Sequence, residues 1–340
     1  MNSKAESKFM RNFQKIEDEN EIKKLLDRVL FKTFFHSLEW HEFLEKEFKW
    51  INFEYYLYKN ELLFEIARIG TKIISLPFCE YGGPLPLKEN IDFKNFEKDV
   101  LVEFGENIKI KFHPFIKAGN QDSLVATHWI EGLDKKSEQE IFNSFRKTLR
   151  HSIRHAQERG IKIKRCENLE ELKKFYNLYA VNLKRKRTIP YPYSIFEYLY
   201  KQPETDILLA VYSVKGVSAS DGKIIAGDLF LHYSDFIHYF FSASDYKYRK
   251  LEPSYLILWE KIKNSLGKEF KIFDLGAAPK NSDLEIFKLG WRGKEYPILQ
   301  LGIQRQEESL RSSKLIRFIW GLLPNFAVRK LSSALIKYRL

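Results

Sequence analysis

A predicted helix with signals at both of its ends divides this chain into two halves of similar plan. Ser137 and Glu140 form the Ser-x-x-Glu pattern of a capping box, and Gly160 follows where a left-handed residue ends many helices. On both sides of this helix the hydrophobic pattern predicts helices that alternate with short strands, some of them arranged as hairpins. This order predicts an α/β fold with mixed sheets rather than one uniformly parallel sheet.

The length agrees with two domains, because 340 residues exceed the roughly 100–200 residues of a typical domain. We predict a flexible tail at 1–20, a first domain at 21–136, a bridging helix at 137–160, a second domain at 161–304, and basic amphipathic helices at 305–340.

Turn and cap residues place individual elements. Lys59-Asn60 supplies turn chemistry between predicted strands at 53–58 and 62–69. Pro253 is suited to the first position of a helix.

The charge balance indicates an anionic partner. Lysine and arginine number 57 and aspartate and glutamate 45, a net charge of +12. The segment 305–340 is basic, and apolar residues flank Pro324 within it. It can lie on an anionic membrane, or it can pack on the first domain and expose its charges.

Localisation follows from features that are missing. Residues 1–24 lack the apolar run of a signal peptide, and no stretch of about 20 apolar residues predicts a transmembrane helix. Cys79 and Cys166 form no spaced set, so we expect no disulfide framework. We expect a cytoplasmic protein, free or at the inner face of the membrane.

Common catalytic signatures do not occur in the sequence: there is no GxxxxGK[ST] loop, HExxH, GxSxG or paired CxxC. His151 and His155 have helical spacing, but no acidic ligand is near them in sequence, so we expect no metal there. The basic run 184–187 precedes a segment rich in Pro and Tyr. Arg185 and Arg187 can therefore grip phosphate, or can be an ordinary solvated charge run.

Short motifs occur in a fixed order along residues 30–300. They are Ser37-x-x-Trp40, Leu76-Pro77-Phe78, Tyr81-Gly82-Gly83-Pro84, Leu149-Arg150-x-x-Ile153-Arg154-x-Ala156-x-x-x-Gly160-Ile161, Phe175-Tyr176-x-Leu178, Tyr239-x-Phe241-x-Ala243-Ser244, Leu251-x-Pro253, Trp259-x-x-Ile262, and Phe273-Asp274-Leu275-Gly276 followed by Phe287-Lys288. Their joint order resembles the Fem-type (FemAB-like) transferases of the GNAT-like superfamily, together with their acetyltransferase relatives.

This resemblance implies two tandem GNAT-like domains, with the substrate cleft between them or in the second. It implies transfer of an activated acyl group to an amine. Fem-type enzymes take amino acids from aminoacyl-tRNA to extend the peptidoglycan stem peptide, whereas the acetyltransferase relatives use acyl-CoA in envelope assembly. We expect an N-acyltransferase with acyl-CoA, or else aminoacyl-tRNA, as co-substrate, and no permanently bound cofactor or metal.

The resemblance also implies roles for individual residues. Lys288 would stabilise the oxyanion, or would be a surface lysine. Tyr239 would donate a proton or position substrate, or would pack in its strand. Asp274 would accept a proton from the amine, or would cap the following turn.

The remaining implied residues bind ligands. Arg185 and Arg187 would hold the diphosphate of a phosphorylated or lipid-linked envelope precursor, and Arg249 and Ser254 would contact the co-substrate. Tyr81, Gly82 and Gly83 would let the backbone approach a ligand, or would form a turn.

Two departures from the family pattern concern the donor. No acidic residue directly follows Gly83-Pro84, which argues against stem-peptide aminoacylation. The segment 248–253 has no glycine, which argues against a conventional CoA loop. A rival from another class is a non-catalytic module that binds RNA or anionic membrane.

Overall fold

The computed structural model describes residues 12–116, 123–213, 222–302 and 320–339. The chain divides into two compact units, Met1–Ser123 with Ile298–Ile303, and Leu124–Pro297 with Gln304–Leu340. Each unit contains one seven-stranded mixed sheet. The predicted α/β class with mixed sheets is therefore confirmed.

The first unit builds its sheet from strands in the order β1-β2-β3-β4-β6-β14, with β5 paired to β3. The strands are β1 (Phe13–Ile16), β2 (Asn52–Tyr58), β3 (Leu62–Ile69), β4 (Lys72–Ile74), β5 (Leu85–Pro86), β6 (Ile108–Lys111) and β14 (Gln300–Leu301), and the helices are α1 (Glu19–Leu26), α2 (Leu38–Glu47) and α3 (Phe93–Phe104).

Part of the segment predicted as a flexible tail is ordered by its aromatic residue. Phe13 is buried, and its ring centre lies 4.9 Å from that of Tyr58 and 5.1 Å from that of Phe104. The strand β1 that carries Phe13 pairs antiparallel with β2. Residues 1–11 of the predicted tail lie outside the described residues.

The turn between β2 and β3 agrees with its local sequence. Lys59 and Asn60 have φ of 47° and 57°, as a tight turn between twisted strands requires. The two strands pair in register from Asn52 opposite Arg68 to Tyr58 opposite Leu62.

The second unit builds its sheet in the order β13-β7-β12-β11-β10-β9-β8. The strands are β7 (Val125–Glu131), β8 (Ile161–Arg165), β9 (Thr205–Tyr212), β10 (Lys223–Tyr233), β11 (Phe236–Ser244), β12 (Ile272–Pro279) and β13 (Lys294–Pro297), and the helices are α4 (Glu138–Ser144), α5 (Lys147–Glu158), α6 (Leu169–Arg185), α7 (Tyr193–Tyr200), α8 (Pro253–Lys263), α9 (Asp283–Gly290) and α10 (Asn325–Leu335).

The single long helix predicted for 137–160 is two helices. The capping box of Ser137 and the left-handed Gly160, with φ of 78°, are as predicted. Phe145 and Arg146, however, have extended backbones with ψ of 155° and 143°, which ends α4 before α5 begins. The break turns the Phe145 ring into the core, 5.0 Å from the ring centre of Trp291.

These two helices belong to the second unit, as does β7, which the sequence placed in the first domain. β7 pairs antiparallel with both β12 and β13. Leu149, Ile153 and Ala156 of α5 are buried in the same core as the apolar side of α8.

The described part of the basic tail packs on the second unit, not on the first domain as one sequence alternative had it. Val328, Ser332 and Ile336 are buried at helical spacing in and just after α10. Arg329 donates a hydrogen bond of 2.9 Å to Asn177 of α6. Residues 305–319 of the predicted tail lie outside the described residues, and among those described no helix has the length and apolar character to cross a membrane.

Replacing Glu65 with Gln is expected to stabilise the first unit at neutral pH. Glu65 is fully buried in β3, and neither of its carboxylate oxygens has a hydrogen-bond partner among the described residues. Burial raises its pKa well above the usual value, so the folded protein keeps the proton that the unfolded chain loses. Each unit of difference between the pKa of Glu65 in the folded and in the unfolded state corresponds to about 1.4 kcal/mol of stability.

The stabilisation by Glu65→Gln therefore grows as pH rises above the pKa of an unfolded glutamate, and it is absent below that pH. Urea denaturation of both proteins at acidic and neutral pH measures it. Glu47→Gln, at an exposed position of α2, is the matched control. An equal effect of Glu65→Gln at both pH values would contradict the assignment.

Candidate active site

Two neighbouring strands of the second sheet diverge and leave an opening between them. β11 and β12 are parallel and pair over Phe236–His238 and Ile272–Asp274. Within the described strands, β11 then continues to Ser244 paired with β10, while β12 continues to Pro279 paired with β7. Beyond His238 and Asp274 the facing edges of these strands are not paired with each other, and we call this gap the strand opening.

A β-bulge in β11 brings three polar side chains to one face at this opening. The register shifts between Leu229 and Phe230 of β10, so that Ser242 lies opposite Asp228 and Tyr239 lies opposite Phe230. The Tyr239 ring stacks on Phe230 with ring centres 5.4 Å apart. Because the bulge adds one extra residue to β11, the side chains of Tyr239 and Ser242 lie on the same face of the sheet although they are three positions apart.

Asp228, Tyr239 and Ser242 form what we call the Asp228 cluster. Asp228 is fully buried, Tyr239 is buried and Ser242 is exposed. Burial raises the pKa of Asp228 to about 8, although the hydroxyls of Ser242 and Tyr239 lower it in part. Burial and the nearby Asp228 also raise the pKa of Tyr239 well above its usual value. A carboxyl group whose pKa lies near neutral pH, next to a protonated phenol, is suited to proton transfer.

Asp274 stands at the vertex of the strand opening, where the pairing of β11 and β12 ends. Its carboxylate is fully buried and accepts hydrogen bonds from the Thr127 hydroxyl, from the Gly276 backbone N–H at 2.8 Å, and from His238 Nδ1 at 2.7 Å. Gly276 has φ of 77°, a conformation that favours glycine. The bond from Gly276 is the turn-capping contact that the sequence analysis considered for Asp274.

Lys288 lies on α9 and is buried, which excludes the surface-lysine alternative. Its Nζ donates a hydrogen bond of 2.8 Å to the carbonyl oxygen of Ala277, on the diverging part of β12. The Lys288 ammonium is thereby held against the part of β12 that has diverged from β11.

A group of possible metal ligands lies next to Lys288. One ligand atom from each of His128, Glu285 and Glu295 falls within 4.8 Å of the other two. Burial and the Lys288 ammonium lower the pKa of His128, and Lys280 pairs with Glu295 at 3.0 Å. The positive charges of Lys288 and Lys280 therefore already lie beside this group, and we assign no metal to it.

The start of α8 is tied to α5 by a glutamate. Glu252 precedes α8 in a left-handed conformation, with φ of 57°. Its carboxylate accepts a hydrogen bond of 2.7 Å from Ser152 and contacts His155 Nδ1 at 3.0 Å. His155 thus has an acidic partner that its sequence neighbourhood did not reveal, because 97 positions separate the two residues.

Two of the predicted anion-binding arginines meet on one aromatic ring. The guanidinium carbon of Arg185, at the end of α6, lies 4.0 Å from the ring centre of Tyr246, and that of Arg249 lies 3.8 Å from it. All three side chains are exposed and belong to the segments that end α6 and precede α8. Two guanidinium groups held on one ring offer paired donors to a phosphate.

The other predicted ligand-binding residues are more dispersed. Arg187 is exposed in a left-handed conformation, with φ of 53°, just after α6. Ser254 is the second residue of α8 and is half-buried.

Tyr81, Gly82 and Gly83 lie in the first unit. Gly83 has φ of 69°, and a Cβ there would stand 3.0 Å from the Cα of Phe112. The backbone N–H of Gly82 donates to the Lys111 carbonyl oxygen at 3.0 Å. A tight turn against the end of β6 therefore accounts for both glycines.

Residues 143–288 match the family model of the acetyltransferase (GNAT) domain. This segment is similar in sequence to GNAT-type acetyltransferase domains. It contains the Asp228 cluster, Asp274 and Lys288. No curated protein sequence matches the chain.

Solved structures show a likeness of fold that extends beyond that segment. FemX is similar with a TM-score of 0.55 and 14% identity, over 85% of this chain and 96% of FemX. L-PGS from Bacillus licheniformis is similar with a TM-score of 0.53 and 15% identity, over 90% of this chain and 98% of L-PGS. A tandem GNAT protein from the clavulanic acid biosynthesis pathway is similar with a TM-score of 0.50 and 8% identity, over 86% of this chain and 99% of that protein. The expected GNAT-type domain agrees with the family model over residues 143–288, and the likeness to FemX is one of fold.

Proposed function

We propose that this protein is an N-acyltransferase that moves an acyl group from acyl-CoA to an amine of an envelope-related sugar or peptide precursor. The observation that carries the proposal is the strand opening of the GNAT-type domain, with the Asp228 cluster on one face. The facing edges of β11 and β12, which do not pair with each other beyond His238 and Asp274, can accept an extended, amide-containing arm. The acyl group then lies between the two strands.

The chemistry is assigned to residues at the opening. The incoming ammonium loses one proton to water, the neutral amine attacks the acyl carbonyl carbon, and ionised Asp228 accepts the second proton from the attacking nitrogen. The C–N bond forms and the C–S bond breaks as the tetrahedral intermediate collapses. Tyr239 protonates the leaving thiolate and regains a proton from Asp228. Lys288 stabilises the oxyanion.

The anionic part of the co-substrate is assigned to the exposed arginines. Arg185 and Arg249, both stacked on Tyr246, lie on the segments next to the start of α8. Guanidinium groups bind phosphate in paired fashion. Arg187 and Ser254 extend this surface, and a phosphorylated acceptor can share it.

Aminoacyl-tRNA is the second candidate donor, and one observation favours it. Glu252 occupies the left-handed position before α8 and holds its carboxylate against α5, in a segment without glycine. A carboxylate at a helix N-terminus weakens that terminus as a diphosphate site. The wider basic surface would then contact RNA.

Acetyl-CoA is expected to raise the thermal midpoint of the protein, because a ligand that binds the folded state stabilises it by mass action. Arg249→Ala and Arg185→Ala should reduce the shift, whereas Lys46→Ala on α2 should not. The measurement is a thermal-shift series with acetyl-CoA, CoA and charged tRNA at two salt concentrations. A shift with charged tRNA alone would replace the proposed donor.

Lys288→Ala is expected to lower kcat by about 10²–10³, as loss of one oxyanion donor does. Acetyl-CoA binding should be retained, and Lys271→Ala, before the start of β12, should leave turnover unchanged. Rates of thiol release and amide formation test this. Full activity of Lys288→Ala would remove Lys288 from the mechanism, and absence of turnover in the wild type with RNA bound would favour a binding module.

A further inference from the structure

The described end of the chain presents apolar side chains to solvent. Leu322 is 69% exposed and Phe326 60% exposed, although both belong to the segment that packs on α6. Leu331 and Tyr338 are exposed in the same segment. The buried positions Val328, Ser332 and Ile336 already face the domain, and Phe326 and Leu331 lie on the other sides of α10.

Basic residues accompany these apolar side chains, and acidic residues do not. Lys330 and Lys337 are exposed on the same segment. The sequence from 309 to 340 contains no aspartate or glutamate, and neither does the run 184–193. Helices that lie in a membrane interface combine apolar side chains with lysine and arginine in this way.

The tail segment is held against the basic run 184–187. Lys184 donates to Asn325 at 3.2 Å, and Trp320 Nε1 donates to the Thr188 carbonyl oxygen at 3.2 Å. Arg339 donates to the Ile189 carbonyl oxygen at 2.8 Å, and its guanidinium carbon stands 4.2 Å from the ring centre of Tyr191. These contacts fix α10 beside Lys186 and Arg187, so that one continuous surface carries both groups.

We propose that this surface, formed by 184–188 and 320–339, docks on an anionic phospholipid bilayer. Leu322 and Phe326 enter the interface, while Lys330, Lys337 and Lys186 contact the lipid phosphates. The charge of the surface is complementary to such a membrane, and its apolar side chains gain by leaving water. The proposal goes beyond acyl transfer and does not depend on it.

The test is flotation of the full-length protein with vesicles of phosphatidylcholine alone and with phosphatidylglycerol added. Binding is expected with the anionic vesicles. Lys330→Gln and Lys337→Gln should each weaken it about fivefold, and Leu322→Ser with Phe326→Ser should weaken it at least tenfold. Lys46→Gln and Val102→Ser, at exposed positions of the first unit, are the matched controls.

Thermal midpoints of all variants are measured to check that each one folds, so that a loss of binding reports on the surface. The proposal is overturned if the protein does not bind anionic vesicles, or if the tail variants bind them as tightly as the wild type does. It is also overturned if heparin and RNA bind as tightly as vesicles and the Leu322 and Phe326 variants lose nothing, because the surface then recognises polyanions.

Discussion

Asp228→Asn is expected to lower kcat/KM by about 10²–10⁴, the range that general-base catalysis contributes. Asparagine keeps the size of the side chain but cannot accept a proton. With a pKa of about 8, Asp228 is mostly protonated at pH 7, so wild-type kcat/KM should rise with pH and level off above pH 8. In Asp228→Asn that rise should be absent.

A stability measurement separates chemistry from folding at this position. The pKa of folded Asp228 is raised, so stability falls as pH rises above the pKa of an unfolded aspartate, and the fall is complete at about pH 8. Asp228→Asn should therefore be relatively more stable at alkaline pH, where the wild type is most active. Asp235→Asn, in the turn after β10, is the control. A pH profile unchanged by Asp228→Asn would contradict the assignment of the base.

Asp274→Ala is expected to destabilise the second unit by several kcal/mol, at about 1–3 kcal/mol for each buried donor that it leaves without an acceptor. The change leaves the Thr127 hydroxyl, the Gly276 N–H and His238 without their shared acceptor. These groups hold the vertex from which β11 and β12 diverge. Urea denaturation followed by tryptophan fluorescence measures the loss.

Asp274→Asn distinguishes a role of Asp274 as proton acceptor for the amine from a role as hydrogen-bond acceptor that caps the turn. The amide oxygen can still accept from Thr127 and Gly276, so most stability should return. Asp283→Asn, exposed on α9, is the control for loss of a charge. A small effect of Asp274→Ala would show that these bonds do not stabilise the vertex.

Much of the fold follows from local sequence because turns and caps are local events. Lys59-Asn60, the capping box of Ser137, and Pro253 at the start of α8 each depend on a few adjacent residues. The break at Phe145 was not predictable in that way. It depends on a ring contact with Trp291, which lies far away in the sequence.

The candidate site was predictable only in part. Lys288, Tyr239 and Asp274 stand in short motifs, and each of the three lies on β11 or β12 or contacts β12. Asp228 carries no motif, and its meeting with Ser242 depends on strand register and a bulge. The stacking of Arg185 and Arg249 on Tyr246 likewise joins segments about 60 residues apart, which no spacing rule connects.

The central claim is that the acyl donor enters the strand opening, and Ser242→Trp tests it most directly. Ser242 is exposed at the opening, opposite Asp228, so an indole there should fill the space that the donor needs. Calorimetric titration of acetyl-CoA should show binding to the wild type and to Ser333→Trp on α10, and at least tenfold weaker binding to Ser242→Trp. Equal affinity of all three proteins would contradict the account.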